Sequence, residues 1–357
     1  MSDIIVIGGG IAGLSAAARL APHARVTVLE AEDALGYHAS GRSAALFEQN
    51  YGLPPVRALN RASAAFHQPY LSPRGLMLVA RQGEEDAFEA DRADMGLTEI
   101  DMDSARSHVP ILNETVTRAA YHADAQDIDT DRMLQDFART VRSHGGQVVT
   151  GAQVTAIQPG WHVTTTDATY SGERIVNAAG AWADAIAQMA GVKPIGIKPF
   201  RRSMARIPAP GGLDLSRWPM MFGVGEAWYA KPDAGALLVS PADEDLAEPH
   251  DAWADDMVLA EGLDRYMGYV TEPVTRLTAA WAGLRSFAPD RALVLGPDPH
   301  QPDFIWCAGQ GGYGFQTAPA ASQLLADLTL GHTPALDADT VEALSASRFS
   351  HQTEPAQ

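Results

Sequence analysis

The sequence predicts an α/β fold in which a Rossmann-like nucleotide-binding domain, built on a parallel sheet, carries an inserted α+β substrate domain on a mixed or antiparallel sheet. Three observations predict it. A strand–glycine–helix–strand unit fills residues 3–30, strand-like runs separated by Pro and Gly turns fill residues 198–280, and a strand–glycine–helix pattern returns at residues 304–330. The outer parts of the chain therefore form one discontinuous domain.

This organisation divides the chain into three parts. The nucleotide-binding domain takes residues 1–75, 126–197 and 281–345, the substrate domain takes residues 76–125 and 198–280, and residues 346–357 form a loose polar tail. Within the first domain, Asp131–His144 has the amphipathic pattern of a helix, with Asp129-Thr130 as its predicted N-terminal cap.

Composition excludes several classes of protein. With 26 basic and 44 acidic residues among 357, the net charge of −18 disfavours nucleic-acid binding. Cys307 is the single cysteine, so no internal disulfide is expected and a reducing compartment is indicated. No histidine or cysteine spacing is typical of a metal site, and no run of 18 apolar residues predicts a transmembrane segment. The start, MSDIIVIGGG, is unlike a signal peptide, so we expect a cytoplasmic protein.

The first motif is Gly8-x-Gly10-x-x-Gly13, which encloses Ile11 and Ala12. In such a turn the first glycine permits the bend, the second admits a pyrophosphate, and the third lets the helix pack on the strand. Glu30, followed by Ala31, ends the second strand, where a carboxylate can bind a ribose 2′-OH. By itself the motif leaves FAD and NAD open.

Two further segments favour an extended cofactor such as FAD. The segment Tyr37–Ser43 supplies small residues, hydroxyls and Arg42, which could neutralise part of a diphosphate. The turn Gln310–Thr317 is rich in glycine and precedes a helix predicted from Gln316 to Leu330. The positive end of that helix would face a planar ligand lying on the turn.

Arginines provide the candidate substrate site. Arg201-Arg202 lie in a strand-like segment, and Arg285 lies in a glycine-containing one. Arginine recognises carboxylates through paired hydrogen bonds, although structural ion pairs would give the same pattern. Cys307, inside an apolar strand, is interpreted as a core residue.

Several segments resemble the D-amino-acid oxidase superfamily of FAD-dependent oxidoreductases, and within it the bacterial D-arginine dehydrogenases. The matching segments span residue 6 to about residue 317 and read VIGGGIAGLS, GYHASGRSAALFEQNYG, DIDTD, VNAAGAWADAIA, PFRRS, WYAKPDAG, SPADED, AAWAGLRSF and CAGQGGYGFQT.

The resemblance implies a non-covalently bound FAD and a set of contact positions. The implied cofactor-binding residues are Gly8, Gly10, Ile11, Ala12, Gly13, Glu30, Ala31, Ser40, Gly41, Arg42, Ser43, Val154, Ala179, Gly180, Trp182, Gly283, Gly311, Gly312, Tyr313, Gly314, Phe315, Gln316 and Thr317. The implied substrate-site residues are the carboxylate-binding Arg202 and Arg285, together with Tyr51, Tyr229, Gly312, Gln316, Leu46 and Leu76.

The last two positions depart from the family pattern, because Leu46 replaces a histidine and Leu76 a glutamate that binds a guanidinium. An apolar lining does not offset the desolvation of a charged side chain. The resemblance therefore implies oxidative deamination of D-amino acids with neutral or apolar side chains, by hydride transfer from Cα to flavin N5. Oxidation of glycine, sarcosine or proline, oxidation of a 2-hydroxy acid, and a non-catalytic FAD-binding subunit remain alternatives. Oxygen, a quinone or a protein could accept the electrons.

Overall fold

The computed structural model describes residues 3–349, in which helices and strands alternate along most of the chain. The helices are α1 (Ile11–Leu20), α2 (Pro54–His67), α3 (Glu85–Met95), α4 (Met102–His108), α5 (Thr130–Ser143), α6 (Ala183–Met189), α7 (Asp256–Met267), α8 (Gly314–Leu330) and α9 (Ala338–Leu344).

The strands belong to four sheets. They are β1 (Ile4–Ile7), β2 (Val26–Leu29), β3 (Leu46–Phe47), β4 (Leu71–Pro73), β5 (Leu76–Arg81), β6 (Thr98–Ile100), β7 (Val116–His122), β8 (Gln126–Ile128), β9 (Gln147–Val149), β10 (Val154–Gln158), β11 (His162–Thr165), β12 (Thr169–Ser171), β13 (Arg174–Asn177), β14 (Lys198–Pro208), β15 (Met220–Gly223), β16 (Tyr229–Asp233), β17 (Ala236–Ser240), β18 (Asp245–Leu246), β19 (Ala279–Phe287), β20 (Val294–Pro297) and β21 (Phe304–Ala308).

The first large sheet has the strand order β20-β21-β13-β1-β2-β9. Its strands are parallel except for β20, which is antiparallel to β21. All four residues of β1 and of β2 are buried, as expected for parallel strands covered on both faces. Helices α1, α5 and α8 contribute to the core on one face, where Cys307 also lies buried. The predicted nucleotide-binding sheet and the core position of Cys307 are confirmed.

The second large sheet is mixed and has nine strands, in the order β18-β14-β17-β16-β15-β5-β7-β6, with β19 paired to β14. Only β5 and β15 pair in parallel. The antiparallel β14–β19 pair runs in unbroken register from Lys198↔Phe287 to Arg206↔Ala279. The predicted domain boundary at residue 281 falls within β19, and this whole strand pairs with the second sheet.

Two other expectations change at the ends of the chain and of α8. The helix predicted from Gln316 begins two residues earlier, at Gly314. Of the predicted loose tail, residues 346–349 form a 3-10 turn in which Arg348 Nε pairs with Asp290 Oδ2 at 2.7 Å. The rest of that tail, residues 350–357, lies outside the described residues. Between residues 3 and 349, no helix combines the length and apolarity needed to cross a membrane.

The N-terminal cap of α5 gives a test of the local prediction. Asp129 Oδ1 accepts a hydrogen bond from Arg132 N at 3.1 Å, whereas the exposed Asp131 makes no capping contact. We expect Asp129→Ala to lower the free energy of unfolding by about 1 kcal/mol, and Asp131→Ala by less than about 0.5 kcal/mol. Chemical denaturation of the two variants measures the difference. Equal losses would show that the cap contributes nothing beyond its charge.

Candidate active site

A long cavity runs from the glycine turn after β1, past the 3-10 turn at residues 39–42, to the turn before α8. Most of the predicted cofactor-binding residues line it, namely Gly8, Gly10, Ile11, Ala12, Glu30, Ser40, Arg42, Ser43, Ala179, Gly180, Trp182, Gly283, Gly311, Gly312, Gly314 and Phe315. The structure thus brings together segments from the two ends and the middle of the chain.

The glycine turn admits close backbone contacts that a side chain would prevent. A Cβ atom on Gly8, whose φ is +111°, would lie 2.3 Å from the Ala178 carbonyl oxygen, and one on Gly13 would lie 1.9 Å from the Gly8 carbonyl oxygen. Gly13 lines no described cavity, so its part is the predicted packing of α1 on β1. Ser40 Oγ accepts a hydrogen bond from Ile11 N at 3.0 Å and ties the polar loop to the start of α1.

Five other predicted cofactor residues line neither the long cavity nor the one that adjoins it. They are Ala31, Gly41, Val154, Tyr313 and Thr317. Gly41 has a packing role, since a Cβ atom there would lie 2.6 Å from the Gly36 carbonyl oxygen. Thr317 donates its hydroxyl hydrogen to the Tyr313 carbonyl at 2.8 Å inside α8.

Glu30 lies at one end of the long cavity, beside the glycine turn. Its side chain is buried, and its carboxylate accepts hydrogen bonds from Gly9 N at 2.6 Å and from Glu32 N at 2.9 Å. These two amides fix the carboxylate beside the glycine turn, the position from which an acid can bind a ribose hydroxyl.

The guanidinium group of Arg42 is bonded to other groups of the protein. Its guanidinium donates to the carbonyl oxygens of Ala252 at 2.8 Å and Ala282 at 2.7 Å, and it forms an ion pair with Asp251. The charge of Arg42 is therefore already balanced by protein groups. It lines the cavity and joins the 3-10 turn to β19 and to the 251–252 loop, and its contact with a diphosphate stays a prediction.

A second cavity adjoins the first and shares with it Arg285, Tyr229, Gly312, Phe315, Ser43 and Ala44. It contains the predicted Leu46, Tyr51, Leu76 and Gln316. Six further residues line it that the sequence did not single out, namely Ala45, Glu48, Met95, Met220, Phe222 and Glu226. The expected apolar lining is therefore incomplete, because two carboxylates take part.

The two adjacent arginines on β14 have different environments. Arg201 pairs with Asp243 at 3.1 Å and with Asp245 at 2.6 Å. Arg202 donates from Nε to the Asp243 carbonyl oxygen at 2.8 Å, while its buried Nη1 has no hydrogen-bond partner. Of these two arginines, Arg202 lines the long cavity and Arg201 does not, so Arg202 is the one that has a donor for a ligand.

Arg285 enters the same region from β19. Its guanidinium lies against Gly312, where a Cβ atom would be 3.0 Å from Arg285 Nη1. No carboxylate among residues 3–349 forms a salt bridge with it. Burial alone would lower the pKa of Arg285. The nearby oxygens of Tyr51, Tyr229 and Glu226 raise it by more, so the net shift is upward and the guanidinium stays charged.

Two tyrosines and a glutamine complete this region. The buried Tyr229 hydroxyl has no partner, whereas Tyr51 Oη lies 3.5 Å from Glu226 Oε2. Burial, opposed by Arg285, raises the pKa of Tyr51 to about 12, so its hydroxyl keeps its proton at neutral pH. Gln316 accepts from Glu48 N at 3.2 Å through Oε1, which leaves its buried Nε2 without a partner.

The arrangement fits a dinucleotide at the glycine-lined end and an anion at the other. The N-terminus of α8 has no side-chain cap, so its free N–H groups and positive dipole face the turn at Gly311 and Gly312. Unpartnered donors of Arg202, Tyr229 and Gln316 would be costly to bury without a ligand. The fold and the two cavities are those expected of a dinucleotide-dependent enzyme.

Comparison with known proteins specifies the family. The family model described as FAD dependent oxidoreductase (DAO) matches residues 3–328, and the chain belongs to this family. Glycine oxidase of Pseudomonas putida is 25% identical over 370 residues, covering 94% of this chain and 96% of that protein.

Solved structures agree with the fold. L-proline dehydrogenase from P. horikoshii superposes with a TM-score of 0.83 at 23% identity, covering 98% of both chains. Glycine oxidase from Geobacillus kaustophilus gives a TM-score of 0.82 at 22% identity, covering 97% of this chain and 98% of that one. The expected superfamily and FAD dependence are confirmed, whereas these relatives are glycine oxidases and a proline dehydrogenase rather than D-arginine dehydrogenases.

Glu30 gives a test of the cofactor site. In Glu30→Gln one carboxylate oxygen becomes an NH₂ group that faces a backbone N–H, so we expect FAD to bind roughly tenfold more weakly. Glu32→Gln is the control, since that side chain pairs with His38 and lines neither cavity; its effect should stay below about threefold. Fluorescence titration of the apoprotein with FAD measures both. Unchanged affinity in Glu30→Gln would remove this carboxylate from the cofactor site.

Proposed function

We propose that this FAD-dependent oxidoreductase deaminates D-amino acids with neutral or apolar side chains, giving 2-oxo acids and ammonia. The observation that carries the proposal is that Arg202 and Arg285 line the same cavity, with Arg285 against Gly312, and that neither guanidinium forms a salt bridge with a carboxylate of residues 3–349. Two such groups match the carboxylate of an amino acid. When bound, FAD supplies an acceptor for the hydride that leaves the substrate Cα.

The residues of the chain position the substrate for this reaction. Arg202 and Arg285 bind the carboxylate, and the unpartnered Tyr229 hydroxyl donates a third hydrogen bond. Gly312 offers its carbonyl oxygen to the amine, which reacts as neutral NH₂. Tyr51 keeps its proton and closes the side of the cavity beside Glu226. Binding geometry accounts for the acceleration without a dedicated side-chain base, and water then hydrolyses the imino acid.

The second cavity supports a substrate that has a side chain. Leu46, Leu76, Met220 and Phe222 line it beyond Arg285 and Gly312. Glycine would leave these apolar surfaces without contact, whereas a D-amino acid side chain would cover them. Glu48 does not require a cationic substrate, because His122 Nδ1 already pairs with it at 2.7 Å.

Oxidation of glycine, sarcosine or proline is the second candidate. It is favoured by the similarity of the chain to glycine oxidases and to an L-proline dehydrogenase. Oxidation of a 2-hydroxy acid would use the same arginine pair, and a non-catalytic subunit would bind FAD without reacting. Anaerobic mixing with each class of compound separates these functions, because only a substrate reduces the flavin.

The neighbouring arginines of β14 provide a matched pair of variants. We expect Arg202→Met and Arg285→Met each to lower kcat/KM roughly 100-fold, since each removes a charged hydrogen bond to the substrate carboxylate. Arg201→Met, which loses only its ion pairs with Asp243 and Asp245, should lower it by less than about fivefold. Steady-state kinetics of the three variants and the wild-type protein measure these changes in kcat/KM. Wild-type kcat/KM in Arg285→Met would exclude the carboxylate-binding role.

A substrate panel tests the side-chain preference. We expect D-leucine, D-methionine and D-phenylalanine to give higher kcat/KM for flavin reduction than D-arginine or D-lysine, because the lining cannot offset the desolvation of a cation. The matched L-amino acids and glycine are measured alongside. A D-arginine or D-lysine value about tenfold above D-leucine would contradict the proposed preference.

A further inference from the structure

A buried carboxylate lies in the second cavity without a part in the steps above. Glu48 follows β3, is 2% exposed, and lines the cavity together with Leu76, Met95 and Met220. Charged side chains are seldom buried unless their hydrogen-bonding capacity is used. Its position among apolar side chains therefore indicates a specific use.

The protein holds this carboxylate in a fixed orientation. Glu48 Oε2 accepts from His122 Nδ1 at 2.7 Å, and Glu48 Oε1 accepts from Asn50 N at 2.9 Å. His122 is placed by β-sheet register, because it pairs with Leu76, itself a residue of the cavity lining. Gln316 contributes from α8 by accepting the Glu48 backbone N–H. His122 on β7 and the Asn50 amide thus fix the carboxylate, while Gln316 on α8 holds the backbone of the same residue.

The charges around Glu48 determine which ligand it can accept. His122, whose side chain is 24% exposed, pairs with Glu48 through one ring nitrogen and has Asp124 at 3.8 Å from the other. The other charged groups lining the cavity are Arg285 and Glu226. His122 and the Asn50 amide already occupy one position on each Glu48 oxygen, and each oxygen has lone-pair capacity for a further hydrogen bond.

We propose that Glu48 determines specificity by accepting a hydrogen bond from a neutral N–H or O–H group on the substrate side chain. This inference rests on the proposed function and narrows its substrate class. Among neutral D-amino acids, those with an amide, hydroxyl or ring N–H are preferred over apolar ones of the same size. The surrounding Leu46, Leu76 and Met95 contact the aliphatic part of the same side chain.

Matched substrate pairs test this. Anaerobic kcat/KM for flavin reduction is measured for D-asparagine against D-leucine and for D-glutamine against D-methionine. In the wild-type holoenzyme the amide member should exceed its apolar partner by roughly tenfold. In Glu48→Leu the ratio should fall to about one or below, and in Glu48→Gln it should lie between. Asp124→Asn, altered at an 89% exposed side chain outside the cavity, should keep the wild-type ratio.

The flavin spectrum and FAD content of each variant show that it is folded, and Glu48→Gln covers the case in which Glu48→Leu does not fold. A wild-type ratio near one, or a high ratio that survives in both Glu48 variants, overturns the role of Glu48 while D-leucine oxidation upholds the proposed function. Reduction only by glycine or sarcosine, or by no amino acid, overturns both.

Discussion

The site depends on two guanidinium groups that line one cavity and that form no salt bridge with any carboxylate of residues 3–349. The β14–β19 register sets Arg202 opposite Gly283 and Arg285 opposite Phe200, so the two cations come from neighbouring strands. Asp243 occupies Arg201 and Ser203 with its carboxylate, and it leaves Arg202 Nη1 unpartnered. Because desolvated cations attract anions strongly, this pair of guanidinium groups suits an anionic ligand.

Close backbone approach joins this substrate sheet to the nucleotide-binding domain. Gly283 on β19 lets the 3-10 turn at residues 39–42 pack against it, with the Arg42 Cβ 3.4 Å from where a glycine Cβ would lie. Arg42 then fastens the contact through the Ala282 carbonyl and Asp251. Gly312 likewise leaves room for the Arg285 guanidinium beside α8. The residues expected to contact FAD are thus partly the residues that hold the two sheets together.

Sequence patterns were enough to predict the local structure and the glycine turns, and to identify the candidate arginines. The unbroken apolar runs of β1 and β2, the Asp129 cap and the helix after Gly314 follow from neighbouring residues alone. The partnership of β19 with β14 and the strand β7 could not be predicted this way, because pairing is decided by distant segments.

The same limit explains why the sequence alone does not single out Glu48. Its partner His122 is 74 residues away, and only the pairing of β7 with β5 brings them together. Likewise, nothing in the Arg201-Arg202 dipeptide indicates which guanidinium Asp243 and Asp245 will occupy. The signal that could have marked Glu48 was an acidic residue two positions after Leu46, a position already assigned to the substrate.

The central claim, that Arg202 and Arg285 bind the carboxylate of an amino acid beside the flavin, is tested most directly by changing that carboxylate and nothing else. The holoenzyme is mixed anaerobically with D-leucine or with D-leucinamide, and the visible absorption band of the flavin is followed. We expect D-leucine to bleach the flavin, and D-leucinamide, which has a neutral amide instead of the carboxylate, to do so at least about 100-fold less efficiently. Equal bleaching by both compounds would contradict the claim.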